Sequence, residues 1–342
     1  FLRHLPKLLL SCLYFLNISL VLYMVPYPYL ERIVSLSRPS LVCMSIIQYS
    51  EDFFFRTYRI VGRWRIAHSQ NPRPASFPFI SGDGFRSLAK HVFDNTTHSF
   101  DATKVTQGEI IFVGNGRIQE FLTTIHPHIA SPYVLITHNG DAQVDKTLFE
   151  LAESKVIKWY GINITYRHPK LIPIPLGIEN KYLYVCGIPD VFKSVIRQNR
   201  RKQDKIFYGF TVSTNPSERQ IALDIISKHP QAETIAVWRG FLPYLKLLST
   251  YKMVLSPPGS STEGHRTWDT LYIGGVPIVK SSITIDYFKS LGVPLLVVTD
   301  WQQLDTLDAK VISDTYETTW NTSNKETLYF DYWKEKILNH HS

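Results

Sequence analysis

Residues 253–280 read MVLSPPGSSTEGHRTWDTLYIGGVPIVK, and this segment constrains the fold more than any other stretch of the chain. Its first apolar residues stop at Ser-Pro-Pro-Gly, because two prolines and a glycine do not continue a strand. Ser260 precedes Glu263 by three positions, which is the spacing of a capping box and predicts a helix from about Thr262. A Gly-Gly pair ends that helix, and the apolar run 276–279 predicts the next buried strand. The segment therefore predicts a strand, a loop, a helix and a second strand.

The predicted helix has two chemically different faces. At about 100° per residue, Trp268, Leu271 and Tyr272 share an apolar face. The opposite face groups a cation with two carboxylates and a hydroxyl: Glu263, Arg266, Asp269 and Thr270. A helix N-terminus favours anions through its free N–H groups and its dipole, so this face suits the diphosphate and ribose of a sugar nucleotide. The alternative is that Arg266 and Asp269 form only a surface ion pair, worth about 0.2–0.5 kcal/mol.

The block 256–279 resembles the nucleotide-sugar-binding segment of exostosin-type glycosyltransferases. In that family a serine–proline strand end, an arginine, an acidic residue and a GG/GC-x-P-I-V strand recur in this order. LITHNGD at 135–141 and LIPIPLGIEN at 171–180 resemble the same broad group. Two positions depart from the pattern, since Gly275 stands where the family often has cysteine and Asp269 where it usually has glutamate.

The resemblance implies a GT-B architecture, an α/β fold in which two Rossmann-like domains face each other and the C-terminal one binds the donor. It implies an inverting, metal-independent transfer of a sugar from a nucleoside diphosphate sugar to the hydroxyl of a glycan or glycoconjugate, without a cofactor. Arg266 would stabilise the leaving diphosphate, and Asp269 or Glu263 would hold the ribose. The predicted donor-binding residues are Thr211, Asn215, Arg219, Ser256, Gly259, Ser260, Glu263, His265, Arg266 and Asp269. The chain contains no Asp-x-Asp and no Cys/His cluster with zinc spacing, so no metal site is predicted.

Polar residues follow two predicted strands in the first half of the chain. Ligands of open α/β sheets bind outside the carboxyl ends of the strands, which places these side chains well for chemistry. His138 and Asp141 are the candidates for the general base that deprotonates an acceptor hydroxyl. The candidate acceptor or cleft residues are Asn139, Glu179 and Asn180. The alternative for Asp141 is an ordinary turn in which it caps the next helix.

Strands and helices alternate regularly over residues 206–310, which predicts a parallel sheet with crossover helices. TVSTN at 211–215 follows a strand of this half, and Arg219 lies one turn further along the next helix. These hydroxyls, amides and the guanidinium form a second predicted phosphate cradle. In the first half, residues 84–94 are predicted to form a helix.

The chain of 342 residues is long enough for two domains, and its net charge of +8 suits an anionic substrate, with no nucleic-acid motif beside it. The basic run RQNRRKQDK at 197–205 marks the predicted domain boundary. Its charges are interpreted as a solvated helix end, with phosphate steering as the alternative. The predicted order is a membrane anchor and flank (1–35), a stem (36–80), an N-terminal acceptor domain (81–200), a C-terminal nucleotide-sugar-binding domain (201–315) and a terminal helix crossing back (316–342).

Residues 8–25 read LLLSCLYFLNISLVLYMV, an apolar run about as long as a bilayer is thick. Arg3 and Lys7 precede it and tyrosines follow it, as expected at membrane interfaces. The sequence predicts a single-pass membrane protein, in the Golgi if the source is eukaryotic. A cleaved signal peptide and a buried or interfacial helix are the alternatives.

Three cysteines allow at most one bridge, between Cys43 and Cys186.

Three asparagines begin glycosylation sequons: Asn95, Asn163 and Asn321. Sequons are frequent enough by chance that they do not establish a lumenal location.

The principal alternative to an enzyme is a non-catalytic protein that binds glycans or nucleotides on a transferase fold. A phosphosugar enzyme is a third hypothesis.

Overall fold

Parallel pairing accounts for the long apolar runs in the first half of the chain, because such strands are buried on both faces. The first sheet of the computed structural model has five parallel strands in chain order. They are β1 His91–Phe93, β2 Ile110–Gly114, β3 Tyr133–His138, β4 Val156–Gly161 and β5 Leu171–Pro173. Its α-helices of five residues or more are α1 Gly82–Arg86, α2 Lys146–Ala152 and α3 Pro189–Arg197, and a single helical turn spans Ile118–Glu120. Every residue of β2 and β3 is buried.

The second sheet is also parallel, but its strands do not follow chain order. They are β6 Gln203–Phe207, β7 Ala232–Glu233, β8 Tyr251–Leu255, β9 Val276–Lys280 and β10 Leu296–Val298. The spatial order is β10-β9-β8-β6-β7, so β6 lies between β7 and β8. Strands are therefore added in opposite directions on the two sides of β6, and the topological switch point lies between β6 and β8. Open α/β sheets bind ligands at such a point.

The helices of the second sheet are α4 Pro216–Ile226, α5 Phe241–Leu248, α6 His265–Tyr272, α7 Ile283–Ser290 and α8 Ala309–Asn321. We call β1–β5 with α1–α3 the first lobe and β6–β10 with α4–α8 the second lobe. The last helix, α9 Phe330–Leu338, contacts the first lobe. The Tyr160 hydroxyl on β4 donates to the Lys336 carbonyl at 3.1 Å, and the Phe330 N–H donates to the Pro78 carbonyl at 3.0 Å.

The structure describes Thr57 and residues 59–97, 99–235 and 240–339. The chain divides into two compact units, Phe1–Ile60 and Val61–Ser342, and both sheets belong to the second. The predicted membrane anchor and Cys43 lie outside the described residues. No helix within those residues is long and apolar enough to cross a bilayer.

Two parallel five-stranded sheets confirm the predicted α/β class, whereas two predicted helices differ in detail. The helix predicted over residues 84–94 is wrong, because α1 ends at Arg86 and residues 91–93 pair with β2. Pairing with a buried strand outweighs local helix preference there. The helix predicted from Thr262 begins at His265, and no side chain caps it. The reason is that Glu263 has other hydrogen-bond partners, described below.

Candidate functional site

Arg219 of α4 occupies the switch point between β6 and β8. Its guanidinium donates to the carbonyls of Pro258 at 2.9 Å, Thr211 at 2.8 Å and Pro257 at 3.3 Å, and to the hydroxyl of Thr214. The side chain is only 8% exposed. Arg219 therefore ties the loop after β6 to the loop after β8, and most of its N–H groups already have protein partners.

Other predicted donor residues shape the same two loops. The Asn215 amide donates to the Gly259 carbonyl at 3.1 Å. A Cβ atom on Gly259 would lie 2.8 Å from an Arg219 nitrogen, so a larger residue there would displace the guanidinium. The buried Ser256 hydroxyl is 2.9 Å from the Thr267 hydroxyl on α6, and Ser260 is exposed. Ser256 and Asn215 thus hold the loops in place, and Ser260 is left accessible.

Arg266, on the first turn of α6, points to the same switch point. Its Nη2 donates to the carbonyl of Gly209, just after β6, at 2.5 Å, and it hydrogen-bonds with the Tyr244 hydroxyl. Its Nε is buried and has no hydrogen-bond partner. Among the described residues, neither Arg266 nor Arg219 forms an ion pair with a carboxylate. Burial and the neighbouring charge of Arg266 lower the pKa of Arg219 to about 10, so the Arg219 guanidinium remains charged at neutral pH.

Asp269 lies one turn further along α6 and is 6% exposed. No donor from the described residues hydrogen-bonds to its carboxyl, and it forms no ion pair with Arg266. Burial raises its pKa well above the ordinary value, although the charge of Arg266 opposes this. The surface ion pair that the sequence left open is therefore not found. Its oxygens are not among the buried unpartnered atoms, so they remain within reach of solvent and of a ligand hydroxyl.

Helix α6 is buried on both of its predicted faces, because it lies between its own sheet and the first lobe. Glu263, directly before the helix, is 4% exposed and joins the two lobes. Its carboxylate accepts the Leu176 N–H at 2.6 Å from the first lobe and the Trp268 indole N–H at 2.7 Å from α6. Burial raises the pKa of Glu263 to about 7 against the effect of these two donors. Both carboxylate oxygens of Glu263 are therefore engaged in a contact that joins the lobes.

Asn163, at the carboxyl end of β4, fastens the same loop. Its Oδ1 accepts the Thr262 N–H at 3.2 Å, and its Nδ2 donates to the Ser261 hydroxyl at 3.3 Å. That hydroxyl donates to Asp141 at 3.2 Å. Asn163 has φ 57°, a conformation that asparagine tolerates, and is 1% exposed. Sequence reasoning noticed Asn163 only as a sequon and missed its role between the lobes.

His138, a candidate base, is 2% exposed and both of its ring nitrogens have partners. Nε2 is 3.1 Å from the Pro175 carbonyl, and Nδ1 accepts the Asn139 N–H at 2.7 Å. Burial lowers the pKa of His138 to about 4. An acceptor hydroxyl has no free nitrogen to reach here. Asp141, the other candidate, is exposed at the carboxyl end of β3.

The predicted acceptor residues Asn139 and Asn180 belong to an internal network. The Asn180 amide donates to Asn139 at 2.7 Å, and the Asn139 amide donates to Asp83 at 3.2 Å. Asp83 is fully buried and paired with Arg73, whose Nη2 lies 2.7 Å from its carboxylate. Sequence analysis did not identify Arg73 or Asp83 as partners, because nothing in their spacing shows that they meet the two asparagines. This network orders the edge of the first sheet.

Glu179 closes a loop at the same edge. Its carboxylate accepts the N–H groups of Cys186 at 2.7 Å and Gly187 at 3.3 Å. Its charge also reaches α6, where it raises the pKa of Asp269. Glu179 therefore lies near enough to α6 to influence Asp269, although its own hydrogen bonds close a loop of the first lobe.

Two further observations concern possible metal ligands and a surface depression. The described residues contain no group of three or more His, Cys, Asp or Glu side chains that could hold a metal ion. A surface depression of about 430 Å³ lies beside the loop that leads into β7, lined by residues such as Asp224, His229 and Asp305. That loop enters the amino end of β7. The depression therefore lies at the amino ends of the strands, whereas the two arginines lie at the carboxyl ends.

No family model and no curated protein matches the sequence. Among solved structures, the chain is similar to apo OtsA at 11% identity, over 68% of this chain and 72% of that chain, with a TM-score of 0.39. It is similar to α,α-trehalose 6-phosphate synthase from Burkholderia multivorans at 8% identity, over 70% and 72%, with a TM-score of 0.36. It is also similar to the pneumococcal O-GlcNAc transferase GtfA in complex with UDP and GlcNAc, at 13% identity, over 69% and 57%, with a TM-score of 0.31. The neighbours include glycosyltransferases, but likeness at this level decides neither the family nor the activity of the chain.

Proposed function

We propose that the protein is a glycosyltransferase that moves a sugar from a nucleoside diphosphate sugar to a hydroxyl of a glycan or glycoconjugate. The observation that carries the proposal is the pair of charged guanidiniums, Arg266 and Arg219, at the β6/β8 switch point. They lie together, neither forms an ion pair with a carboxylate of the described residues, and the Nε of Arg266 is buried and unpartnered. Two neighbouring cations and an unused donor call for an anion with several oxygens, and a diphosphate provides it.

In this proposal Arg266 holds the diphosphate and stabilises the negative charge that develops on it as the glycosidic bond breaks. Arg219 contributes its positive charge while its hydrogen bonds keep the two loops in position. The carboxyl of Asp269, one turn along α6, accepts a ribose hydroxyl. We propose that the arginines, rather than a divalent metal, neutralise the leaving group, and that the chain is of exostosin type with inversion at the anomeric carbon.

The acceptor lies on the first-lobe side, near Asp141.

We also propose a membrane anchor at residues 8–25, with a Golgi location if the source is eukaryotic. A protein that binds nucleotides or glycans without turnover remains the second candidate, since the cation pair by itself requires only binding.

Calorimetric titration of the full chain with uridine and guanosine diphosphates tests the donor site. Arg266→Ala removes a charge and the orphaned donor, so we expect affinity to fall by about 10- to 100-fold, equivalent to about 1.5–3 kcal/mol. Arg201→Ala is the matched control, because Arg201 is an exposed arginine just before β6, at the opposite edge of the sheet. Unchanged affinity in Arg266→Ala would contradict the site. Transfer or hydrolysis of radiolabelled sugar nucleotides by the wild type separates the enzyme from the binding protein.

A further inference from the structure

The imidazole of His265 has one nitrogen committed to the protein and one free. Its Nδ1 is 2.8 Å from the Gly177 carbonyl, just after β5 in the first lobe. A carbonyl oxygen only accepts, so Nδ1 carries the proton and the neutral ring presents a lone pair on Nε2. No group of the described residues hydrogen-bonds to Nε2, and the side chain is exposed. This is the arrangement of a base whose tautomer is fixed by its other nitrogen.

His265 and Arg266 are consecutive residues on the first turn of α6, yet their side chains contact different lobes. His265 contacts Gly177 of the first lobe, and Arg266 contacts Gly209 of the second lobe at 2.5 Å. A donor held by Arg266 and an acceptor on the first lobe therefore meet beside His265. The two side chains are placed for opposite tasks, one at the leaving group and one at the attacking hydroxyl.

The charges around His265 suit a ring that gains a proton during a reaction. Desolvation of the ring by the surrounding protein lowers the pKa of His265 and is the largest effect, whereas the hydrogen bond to Gly177 and the charges of Glu179, after β5, and Asp141, after β3, act to raise it. The neighbouring His138 on β3 is neutral at physiological pH because its own pKa is about 4, and Arg266 follows on α6. The free ring is therefore neutral at pH 7, and two carboxylates lie near enough to stabilise the imidazolium.

We propose that His265 is the catalytic base that deprotonates the acceptor hydroxyl; this assignment rests on the proposed transferase function. Nε2 takes the hydroxyl proton as the oxygen attacks the anomeric carbon. The bond from that carbon to the diphosphate oxygen breaks, and its electron pair leaves on the diphosphate beside Arg266. The imidazolium later returns its proton to water. His138 does not compete for this role, since both of its nitrogens are occupied.

His265→Asn tests the assignment, because the Asn amide can still donate to the Gly177 carbonyl while the base at Nε2 is lost. We expect turnover of the radiolabelled sugar nucleotide that the wild type uses best to fall by about 100-fold or more. Affinity for the nucleoside diphosphate should stay within about twofold of wild type, which also shows that the variant is folded. His128→Asn, at an exposed histidine of the first lobe, is the control and should match wild type in both measurements.

The pH profile gives a second readout. Wild-type turnover should rise with pH through the imidazole pKa and then level off, and His265→Asn should lack this rise. Diethyl pyrocarbonate, which modifies accessible neutral imidazoles, should label His265 and spare buried His138. Retained turnover, an unchanged profile or an unlabelled His265 would each overturn the assignment. If His265→Asn is active while Arg266→Ala loses nucleotide binding, only the base is misassigned; if the wild type binds no nucleoside diphosphate, the proposed function fails.

Discussion

Glu263 couples the association of the two lobes to pH, and Glu263→Gln measures that coupling. Burial places its pKa at about 7 in the folded protein, against an ordinary value of 4.5. Between these two values the folded state holds more protons than the unfolded state, so unfolding becomes easier as the pH rises through this window. At about 1.4 kcal/mol for each pH unit, the contribution lost between pH 4.5 and pH 7 is about 3 kcal/mol.

The glutamine variant isolates this term because its side chain has the same shape and does not titrate. Its single carbonyl can accept from Leu176 or from Trp268 but not from both, so it resembles protonated Glu263. We expect the wild type to lose about 3 kcal/mol relative to Glu263→Gln between pH 4.5 and pH 8 in urea unfolding followed by circular dichroism. Hydrogen exchange of the Leu176 amide should report the same trend locally.

Glu335→Gln is the control, since Glu335 is an exposed glutamate on α9. Its stability difference from wild type should not vary over the same pH range. Parallel pH curves for wild type and Glu263→Gln would refute the reasoning, because they would mean that the folded pKa of Glu263 lies near its unfolded value.

Two further predictions concern the first lobe. Gly177→Ala should lower the free energy of unfolding by about 2 kcal/mol or more, because Gly177 has φ +69° and an added Cβ would lie 2.2 Å from the Ile80 carbonyl oxygen. Gly116→Ala, where an added Cβ meets open space, should change stability by less than about 0.5 kcal/mol in the same denaturation assay. Folded protein from a secretory eukaryotic host should carry no glycan at the sequon of Asn163, since its amide is buried and engaged. Mass spectrometry after enzymatic deglycosylation checks this, and folded protein fully modified at Asn163 would contradict the structure.

The sequence predicted the order of elements that lie within one continuous segment. Strand β8, the Pro-Pro-Gly loop and the helix that carries Arg266 and Asp269 follow one another from residue 251, so local signals were sufficient. Contacts between distant segments were not predictable. Asn163 and Thr262 are 99 positions apart, and Leu176 and Glu263 are 87 positions apart. The capping-box interpretation of Ser260 and Glu263 was wrong for this reason, since Glu263 accepts a donor from the other lobe.

The same limit explains the acceptor side. His138, Asn139 and Asn180 follow strands, and position alone makes them candidates for chemistry. Their side chains instead meet Pro175 and the Arg73–Asp83 pair, partners that no local pattern identifies. A polar side chain at a strand end either binds a ligand or forms hydrogen bonds within the protein. Only the fold distinguishes the two.

The hydrogen bonds of the α6 region separate into two sets that respond differently to opening of the lobes. Arg266 with Gly209, and Arg219 with the loops after β6 and β8, lie entirely within the second lobe. Glu263 with Leu176, and His265 with Gly177, cross between the lobes. Opening would therefore leave the cation pair assembled but would release the imidazole from the carbonyl that fixes its tautomer. In the proposed mechanism a donor would bind the second lobe alone, whereas the proposed base is in place only when the lobes are together, so transfer would require closure while nucleotide binding would not.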